Sequence, residues 1–439
     1  MIDMLVLQVP FQTKHFWFFD DYKGGELHDS TIKELSTAGF KLQAHSVDFE
    51  LVENEQGETS YQMDVSDISH PWESLPSSFS TLAVKIRKGG KNYIPHIEVK
   101  ASPAKLLQGH NVFGFEDFRL AALAVLEPFI YAYSPIQHLL CFENIEIKQI
   151  DCTYSARFEN SLIASRVLDF LRSVNTGQNK LTKDKGTTLY WNKSDSKNGK
   201  QGSLIQLKVY LKEIELKHQL NELQRKHKKL KSGCYQHEIE QLQSKEIQEF
   251  SKGLLRFEAT IKKEKLKRQG IPHRLIDFLD YAEDKPLCRQ FWQNSFKNIL
   301  TALSGQEIDM TDDMKVRDTL RQRLFTETKT GQIRYTKANN AFDFYLALKK
   351  NGYYAVREMS ERRNFERKIA LLIEAGFSKA QLQNLQQSEK NNVMPLIKIV
   401  NVDFANQTPD NYKVPQLLSD LVKSNVIPMP LAKVDRIAS

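Results

Sequence analysis

The stretch Leu204-Ile205-Gln206-Leu207-Lys208-Val209-Tyr210-Leu211-Lys212 decides how this chain is read. Side chains alternate between the two faces of a strand, so residues two apart share a face. Ile205, Leu207, Val209 and Leu211 therefore form an apolar face, and Gln206, Lys208, Tyr210 and Lys212 a polar one. Three other stretches repeat the pattern. In Pro95-His96-Ile97-Glu98-Val99-Lys100, the apolar pair Ile97 and Val99 opposes His96, Glu98 and Lys100. In Gln149-Ile150-Asp151-Cys152-Thr153-Tyr154-Ser155, Asp151 opposes Ile150 and Cys152. In Leu255-Arg256-Phe257-Glu258-Ala259-Thr260-Ile261, Arg256 and Glu258 oppose the four apolar residues. Such strands predict an α+β fold in which helices pack on one face of an antiparallel sheet.

Working outward, Leu5–Pro10, Lys41–Val52, Thr81–Arg87 and Ile94–Lys100 read as strands, with Gly89-Gly90-Lys91-Asn92 as a hairpin turn. Asp117–Ala132 and Asn160–Val174 carry helical spacing, Ile145–Arg157 and Thr187–Trp191 are strand-like, and Leu254–Lys263 is the last strand of this part. Glu213–Lys252 repeats leucines among charges on both sides of Ser232-Gly233, which predicts a charged helical hairpin. Beyond Gly270-Ile271-Pro272 the pattern turns helical: Leu275–Ala282, Cys288–Ser304, Met314–Phe325, Phe342–Gly352, Phe365–Ala375 and Lys379–Gln386, with a short strand over Leu396–Asp403. At 439 residues the chain exceeds one ordinary core. The expected division is residues 1–268 as the chemistry-bearing domain including the hairpin at 213–252, residues 269–404 as a mainly helical DNA- or partner-binding domain, and 405–439 as a loosely ordered tail.

A formal charge of +8 is compatible with a polyanionic partner and equally with a lysine-rich solvated surface. Cys141, Cys152, Cys234 and Cys288 lack CxxC spacing, which argues against zinc and a disulfide framework and suits a reducing compartment. The opening Met1–Leu7 has no basic region and too short an apolar run for a signal segment. The apolar stretch Leu120–Leu140 is interrupted by Glu127, Pro128, Pro135, Gln137 and His138, so no membrane span is expected and the chain reads as cytoplasmic.

Asp and Glu are disfavoured in mid-strand. A sheet packed on one side would show a polar face without any catalysis. Even so, Glu98, Asp151 and Glu258 on three strands are costly unless something neutralises them. A hard divalent cation held by oxygens, Mg²⁺ or Mn²⁺, is the simplest candidate. Such a cation polarises a phosphodiester, and a neighbouring tyrosine could then attack phosphorus. A free phenol ionises near about pH 10, so it needs the metal or a cation such as Lys212 nearby. A phosphotyrosine link keeps the energy of the broken bond for rejoining. No GxxxxGK[ST] motif is present, and no nucleotide cofactor is expected.

At these residues the chain resembles the gene II replication initiators of filamentous bacteriophages, themselves similar to the rolling-circle plasmid initiators. Met1-Ile2-Asp3-Met4-Leu5-Val6-Leu7, Ser69-His70-Pro71-Trp72-Glu73-Ser74-Leu75-Pro76 and the run from Glu98 to Gly114 (Glu-Val-Lys-Ala-Ser-Pro-Ala-Lys, then Leu-Gln-Gly-His-Asn-Val-Phe-Gly from Leu107) carry the likeness. So do Ile150-Asp151, Ser155-Ala156-Arg157, Tyr210-Leu211-Lys212, Arg256-Phe257-Glu258 and Val400-Asn401-Val402-Asp403-Phe404. The resemblance implies an endonuclease that nicks the viral strand of supercoiled double-stranded origin DNA. It implies a 5′-phosphotyrosine, a 3′-hydroxyl primer for the host polymerase, a host helicase as partner, and later rejoining of the displaced single strand into a circle. Carried onto this chain, the nucleophile is Tyr210 with Lys212 beside it, and the metal ligands are Glu98 and Asp151 with Glu258 behind them. Related initiators use a His–hydrophobic–His pair where this chain has His96-Ile97-Glu98, which leaves the role of His96 open.

Lys100, Lys105, His110 and Arg256 are candidate DNA contacts, as are Lys228 and Lys229 in the run Arg225–Lys231. Each has a plainer reading as surface charge, structural histidine, partner of Glu258 or solvated helix face. Tyr154 lies on the apolar side and belongs to the core. The family also makes a shorter protein from an internal start, for which Met310 or Met314 would serve. Two other functions stay open: a non-enzymatic origin-binding or regulatory protein, and a nuclease that activates water.

Overall fold

The computed structural model describes residues 1–19, 23–38, 82–172, 174, 181–192, 204–230, 235–303, 312–328, 331–391, 402–417 and 419, and the backbone of five short strands between 43 and 74. The expected strand at Leu396–Asp403 falls almost wholly outside the described residues, as do Met310, most of the loop Asn192–Gly202 and the side chain of Lys229.

The principal strands are β1 (Ile2–Pro10), β2 (Ala83–Arg87), β3 (His96–Ala101), β4 (Glu146–Arg157), β5 (Leu181–Asp184), β6 (Thr188–Trp191), β7 (Ile205–Leu211) and β8 (Leu254–Lys262). They lie side by side in the order β5-β6-β7-β8-β4-β1-β3-β2, and the sheet continues through Ile68–Ser69 to Gln43–Ala44. Every pairing along these eight strands is antiparallel. The central three, β1, β4 and β8, carry the candidate carboxylates at Asp151 and Glu258.

The helices of the first part are α1 (Asp29–Thr37), α2 (Pro103–Gln108), α3 (Phe118–Ala132), α4 (Ser161–Arg172), α5 (Lys212–Leu230), α6 (Gln236–Gln243), α7 (Lys245–Ser251), α8 (Lys263–Arg268), α9 (Leu275–Ala282) and α10 (Leu287–Leu303). Ala121 and Val125 of α3, Val167 and Leu168 of α4, and Trp292 and Phe296 of α10 share one core with Leu7, Ile97, Ile150 and Phe257. The Trp292 indole N–H donates to the Phe257 carbonyl at 2.9 Å, so this large core side chain is also polar-satisfied. The apolar faces read from the alternation are thus the faces the helices cover.

The expected hairpin at 213–252 is three helices. Its second arm breaks at Ser244, whose Oγ caps α7 by accepting the Ile247 N–H. This unit covers part of the polar face through a small core of Val112, Phe113, Leu216, Leu242, Ile247 and Leu254, so helices lie on both sides of the sheet here.

A second core belongs to α11 (Asp313–Arg323), α12 (Thr336–Asn351), α13 (Tyr353–Met359), α14 (Arg362–Glu374) and α15 (Lys379–Asn391). The tail expected to be loose after Phe404 is packed over its described part. Gln407 gives and takes hydrogen bonds with the Ser155 backbone at 3.0 and 2.8 Å, and Tyr412 stacks edge-on against Phe113 at 5.2 Å. Beyond the last pairing of β1 with β4, the Ser155 backbone needs partners, and Gln407 supplies them. Among the described residues no helix is long and apolar enough to cross a membrane.

Candidate active site

Two interruptions of the β-pairing decide what the polar face carries. Ile2 pairs with Cys152 and Met4 with Asp151, leaving Asp3 as an extra residue on β1. In an unbroken strand Asp3 would share the core face of Leu5 and Leu7; the bulge turns it to the polar side. There its carboxylate accepts from Asn111 Nδ2 at 2.7 Å. The second interruption falls where Val6 pairs with Gln149 and Leu7 with Ile147, which makes Lys148 the extra residue and lets it reach Glu98.

Tyr210 lies opposite Arg256, and Lys208 opposite Glu258. On the next strand Arg256 faces Ser155, Glu258 faces Thr153, and Thr260 faces Asp151. Glu258 is therefore diagonal to both Tyr210 and Asp151, at about 8 Å between Cα atoms from strand spacings. Lys208 Nζ donates to Glu258 Oε2 at 3.0 Å and lies 4.1 Å from the centre of the Tyr210 ring. Asp3, Lys208, Tyr210, Arg256 and Glu258 interact electrostatically as one group.

Burial sets the chemistry of this group. Tyr210 is 2% exposed, and desolvation pushes its phenol well above its ordinary value although Lys208 and Arg256 pull the other way. Burial, then the charges of Glu258 and Asp3, push the Asp151 carboxyl up to about 8 despite bonds from Thr260 and Gln149. Thr153, between these carboxylates by register, has a buried Oγ with no partner.

Lys212 follows on the same face. Its ammonium is fully buried, bonded to Glu215 at 2.6 Å and Asn111 Oδ1 at 2.8 Å. Burial outweighs Glu215 and draws Lys212 down to about 8, whereas Lys212 and Lys105 outweigh burial at Glu215 and hold it at about 2. Both are charged at neutral pH, an ion pair whose ammonium is buried and whose carboxylate reaches partly into solvent.

The segment after α2 bridges these groups. Gly109 takes a φ of 76°, ending α2 in the left-handed region that a side chain disfavours, and sends the chain across the sheet. Asn111 then links Asp3 to Lys212. Arg256, 1% exposed, donates through its guanidinium to the Asn111 and Val112 carbonyls. Its Nε donates to Ser155 Oγ at 3.4 Å, so in place of the expected pairing with Glu258 the guanidinium is held by two backbone carbonyls and one hydroxyl. His110 is likewise buried, and burial with Lys212 and Arg256 lowers it to about 4. Its Nδ1 accepts from the Val112 amide at 3.4 Å, a structural histidine in the neutral form.

The expectation of one cation shared by Glu98, Asp151 and Tyr210 is corrected by the register. Glu98 pairs across β1 with Gln8, Asp151 with Met4. Two strand spacings across and four residues along separate them by about 16 Å, and Tyr210 lies about 30 Å from Glu98. Glu98 belongs to a different cluster. It accepts from Arg87 at 3.0 Å and from Lys148, with His96 Nε2 at 3.6 Å. Burial would raise its carboxyl, but the His96 and Lys148 bonds and the Arg87 charge win and hold it well below the usual range. His96 is oriented by the Ile94 carbonyl at Nδ1 and by Gln8 at Nε2, both at 2.8 Å.

Of the remaining candidates, Lys105 lies within the electrostatic reach of Lys212 and Glu215. Lys100 is half-buried opposite Val6, and Lys228 is exposed toward the far end of α5. Sequence reasoning does not find Asp3 or Asn111. Strand parity hides the first, and the second sits beside the more conspicuous His110.

For a divalent cation, the oxygen-only set of Asp3, Asp151 and Glu258 has the right chemistry, and the partnerless Thr153 hydroxyl lies among them. Asn111, Gln149 and Lys208 now hold these carboxylates individually. Accordingly, no group of three His, Cys, Asp or Glu side chains among the described residues stands at the spacing of a metal shell.

The family model for the N-terminal part of the phage replication-associated protein, the gene II product, matches residues 1–284, and that for its C-terminal part matches residues 328–418. The replication-associated protein of Salmonella phage IKe is 37% identical over 435 residues, covering 97% of this chain and 99% of the relative. That of Enterobacteria phage M13 is 37% identical over 431 residues, 95% and 99% of the two chains. No solved structure matches the chain.

Proposed function

The chain belongs to the gene II replication-associated protein family of filamentous phages, and from that premise we propose that it starts rolling-circle replication by nicking one strand of supercoiled double-stranded origin DNA through a phosphotyrosine. The observation that carries this reading is the burial of one phenol with two cations and several carboxylates on three adjacent strands. A packed sheet has no use for such a group, which is costly to desolvate.

In the proposed step Tyr210 Oη bonds to phosphorus and the P–O3′ bond breaks. The 5′ phosphate stays on Tyr210, and the proton lost by the phenol ends on the departing 3′ oxygen. Lys208 over the ring and Arg256 beside it favour the phenolate, offsetting the desolvation that now holds the proton on. Glu258 holds Lys208 in place. Lys212, buried and oriented by Asn111 and Glu215, offers an ammonium to the same face. Asp3, Asp151 and Glu258 would hold Mg²⁺ or Mn²⁺, which when bound offsets charge growing on the phosphoryl oxygens. Rejoining reverses the step with the 3′ hydroxyl of the displaced strand, so no nucleotide cofactor is needed. The 3′ hydroxyl left by the first nick would prime a host polymerase, with a host helicase opening the duplex, in the bacterial cytoplasm.

The test is a labelled supercoiled origin plasmid with Mg²⁺, followed by protease digestion and mass spectrometry of the DNA-linked peptide. The expected peptide contains Tyr210, and Tyr210→Phe gives neither nick nor adduct. Robust nicking by that variant would refute the assignment, and a free 5′ phosphate without protein would favour the water-activating nuclease. Origin protection without nicked circles under any divalent ion would favour the regulatory DNA-binding reading.

A further inference from the structure

We infer that α13 and α14 form a helix-turn-helix that reads duplex DNA, a site separate from the tyrosine cluster and carried by the second core. A seven-residue helix, the two-residue turn Ser360-Glu361 and a thirteen-residue helix follow one another. Gly352, with a φ of 84°, breaks the chain between α12 and α13. Phe365 anchors the unit, edge-on to Tyr353 of α13 at 5.1 Å and to Phe344 of α12 at 5.6 Å. Three helices around one aromatic pivot, with a short first helix and a longer second one after a tight turn, are the layout in which the second helix enters a major groove.

What α14 shows to solvent fits that role. Phe365, Ile369 and Leu372 face the core, which leaves Arg362, Arg363, Glu366, Arg367 and Ala370 exposed along the opposite side. Asn364 Oδ1 accepts from Arg367 at 2.9 Å, which fixes both side chains at the start of the helix. Arg, Asn and Glu are the groups that pair with guanine, adenine and cytosine edges, and Ala370 leaves room for close approach. Thirteen residues span about 20 Å, enough to cross the groove. Arg357 is exposed on α13, the helix that crosses the phosphate backbone in this arrangement.

Charge supports DNA as the occupant. Residues 312–391 hold sixteen Lys or Arg against ten Asp or Glu, so this smaller part carries most of the chain's net charge of +8. The mixed stripe on α14, in place of a uniform run of lysines, favours base reading over simple attraction to phosphate.

The experiment uses the full chain carrying Tyr210→Phe, so that binding is measured without cleavage. The probe is a fluorescent duplex pool with a randomised core, in a salt series, with sequencing of the bound fraction. Arg362→Ala with Arg363→Ala should weaken duplex binding about tenfold to a hundredfold and flatten the enriched sequence motif. Lys267→Ala with Arg268→Ala, the same charge loss on exposed residues of α8, should change affinity less than about threefold. Unchanged affinity in the first pair would overturn the proposal, as would equal losses in both pairs, or a loss confined to single-stranded competitor. Because the adduct of Tyr210 is scored separately with the unmodified tyrosine, either reading can fail while the other stands.

Discussion

Arg256→Met tests whether the guanidinium is a clamp on the crossing segment or a contact for DNA. The substitution keeps a similar length and removes two charge-assisted bonds to the Asn111 and Val112 carbonyls, along with a longer one to Ser155 Oγ. Bonds of this kind contribute about 1.5–3 kcal/mol each, and both carbonyls would be left without these donors. Relief from desolvating a fully buried guanidinium offsets part of the loss, since isosteric removal of a buried charge is far cheaper when its partners go too. Here the partners remain, so a net cost of about 3–5 kcal/mol is expected. A cost of that size raises local opening of the segment at least about a hundredfold. Hydrogen exchange followed on peptides covering 1–5 and 109–116 is the assay, since the Ile2 amide bonds to the Phe115 carbonyl and the Val112 amide to His110 within the same layer. Faster exchange there, with the salt slope of DNA binding unchanged, is the expected result. Unaltered protection together with a log–log salt slope reduced by about one would refute the clamp and return Arg256 to the phosphate backbone.

Two further outcomes follow from the same face. Lys212 has a folded-state value near 8 against an ordinary 10.5, so the unfolded chain holds its proton more tightly and stability rises with pH between those values. In thermal melts Lys212→Met should therefore flatten that rise, by a few kcal/mol at most because Glu215 opposes the shift; a parallel profile would show Lys212 is not desolvated. Glu98→Gln breaks the cluster with Arg87 and Lys148 and should cost about 3 kcal/mol of stability, while the Mg²⁺ midpoint for nicking stays put and that of Asp151→Asn moves. A moved midpoint in Glu98→Gln would restore Glu98 as a ligand.

The alternation in four short stretches is enough to place the sheet, its core face and the side on which Tyr210, Arg256, Glu258 and Asp151 stand. What it cannot supply is where regular pairing breaks. Asp3 reads as a core-side residue until one notices that Ile2 and Met4 pair with adjacent residues of β4, and Lys148 reads as out of step for the same reason. Neither bulge has a glycine or proline to mark it. Register along a sheet is equally invisible: Glu98 and Asp151 share a face, but the offset across β1 depends on tertiary pairing. Helix α13 escapes because only Tyr353 and Val356 of its seven residues are buried, too few to set a period. The first turn of α14 is largely polar and, as sequence, reads as loop.

The burial of Tyr210 bears on how such a site could work. A phenol 2% exposed cannot meet a phosphodiester in this arrangement, so any attack requires the face to be uncovered. The segment 109–114 is tied to the site at three points, through Asn111 to Asp3, through Asn111 to Lys212, and through Arg256 to its own backbone. Displacing it would free a carboxylate for a cation, an ammonium for a phosphate oxygen and a guanidinium next to the phenol in a single movement. The same contacts that tie the segment down are therefore the ones whose loss would release Asp3, Lys212 and Arg256 together, beside Lys208, Glu258 and Asp151. Preorganisation and restraint meet in one loop, which is why Arg256 is the position where substitution should be felt first.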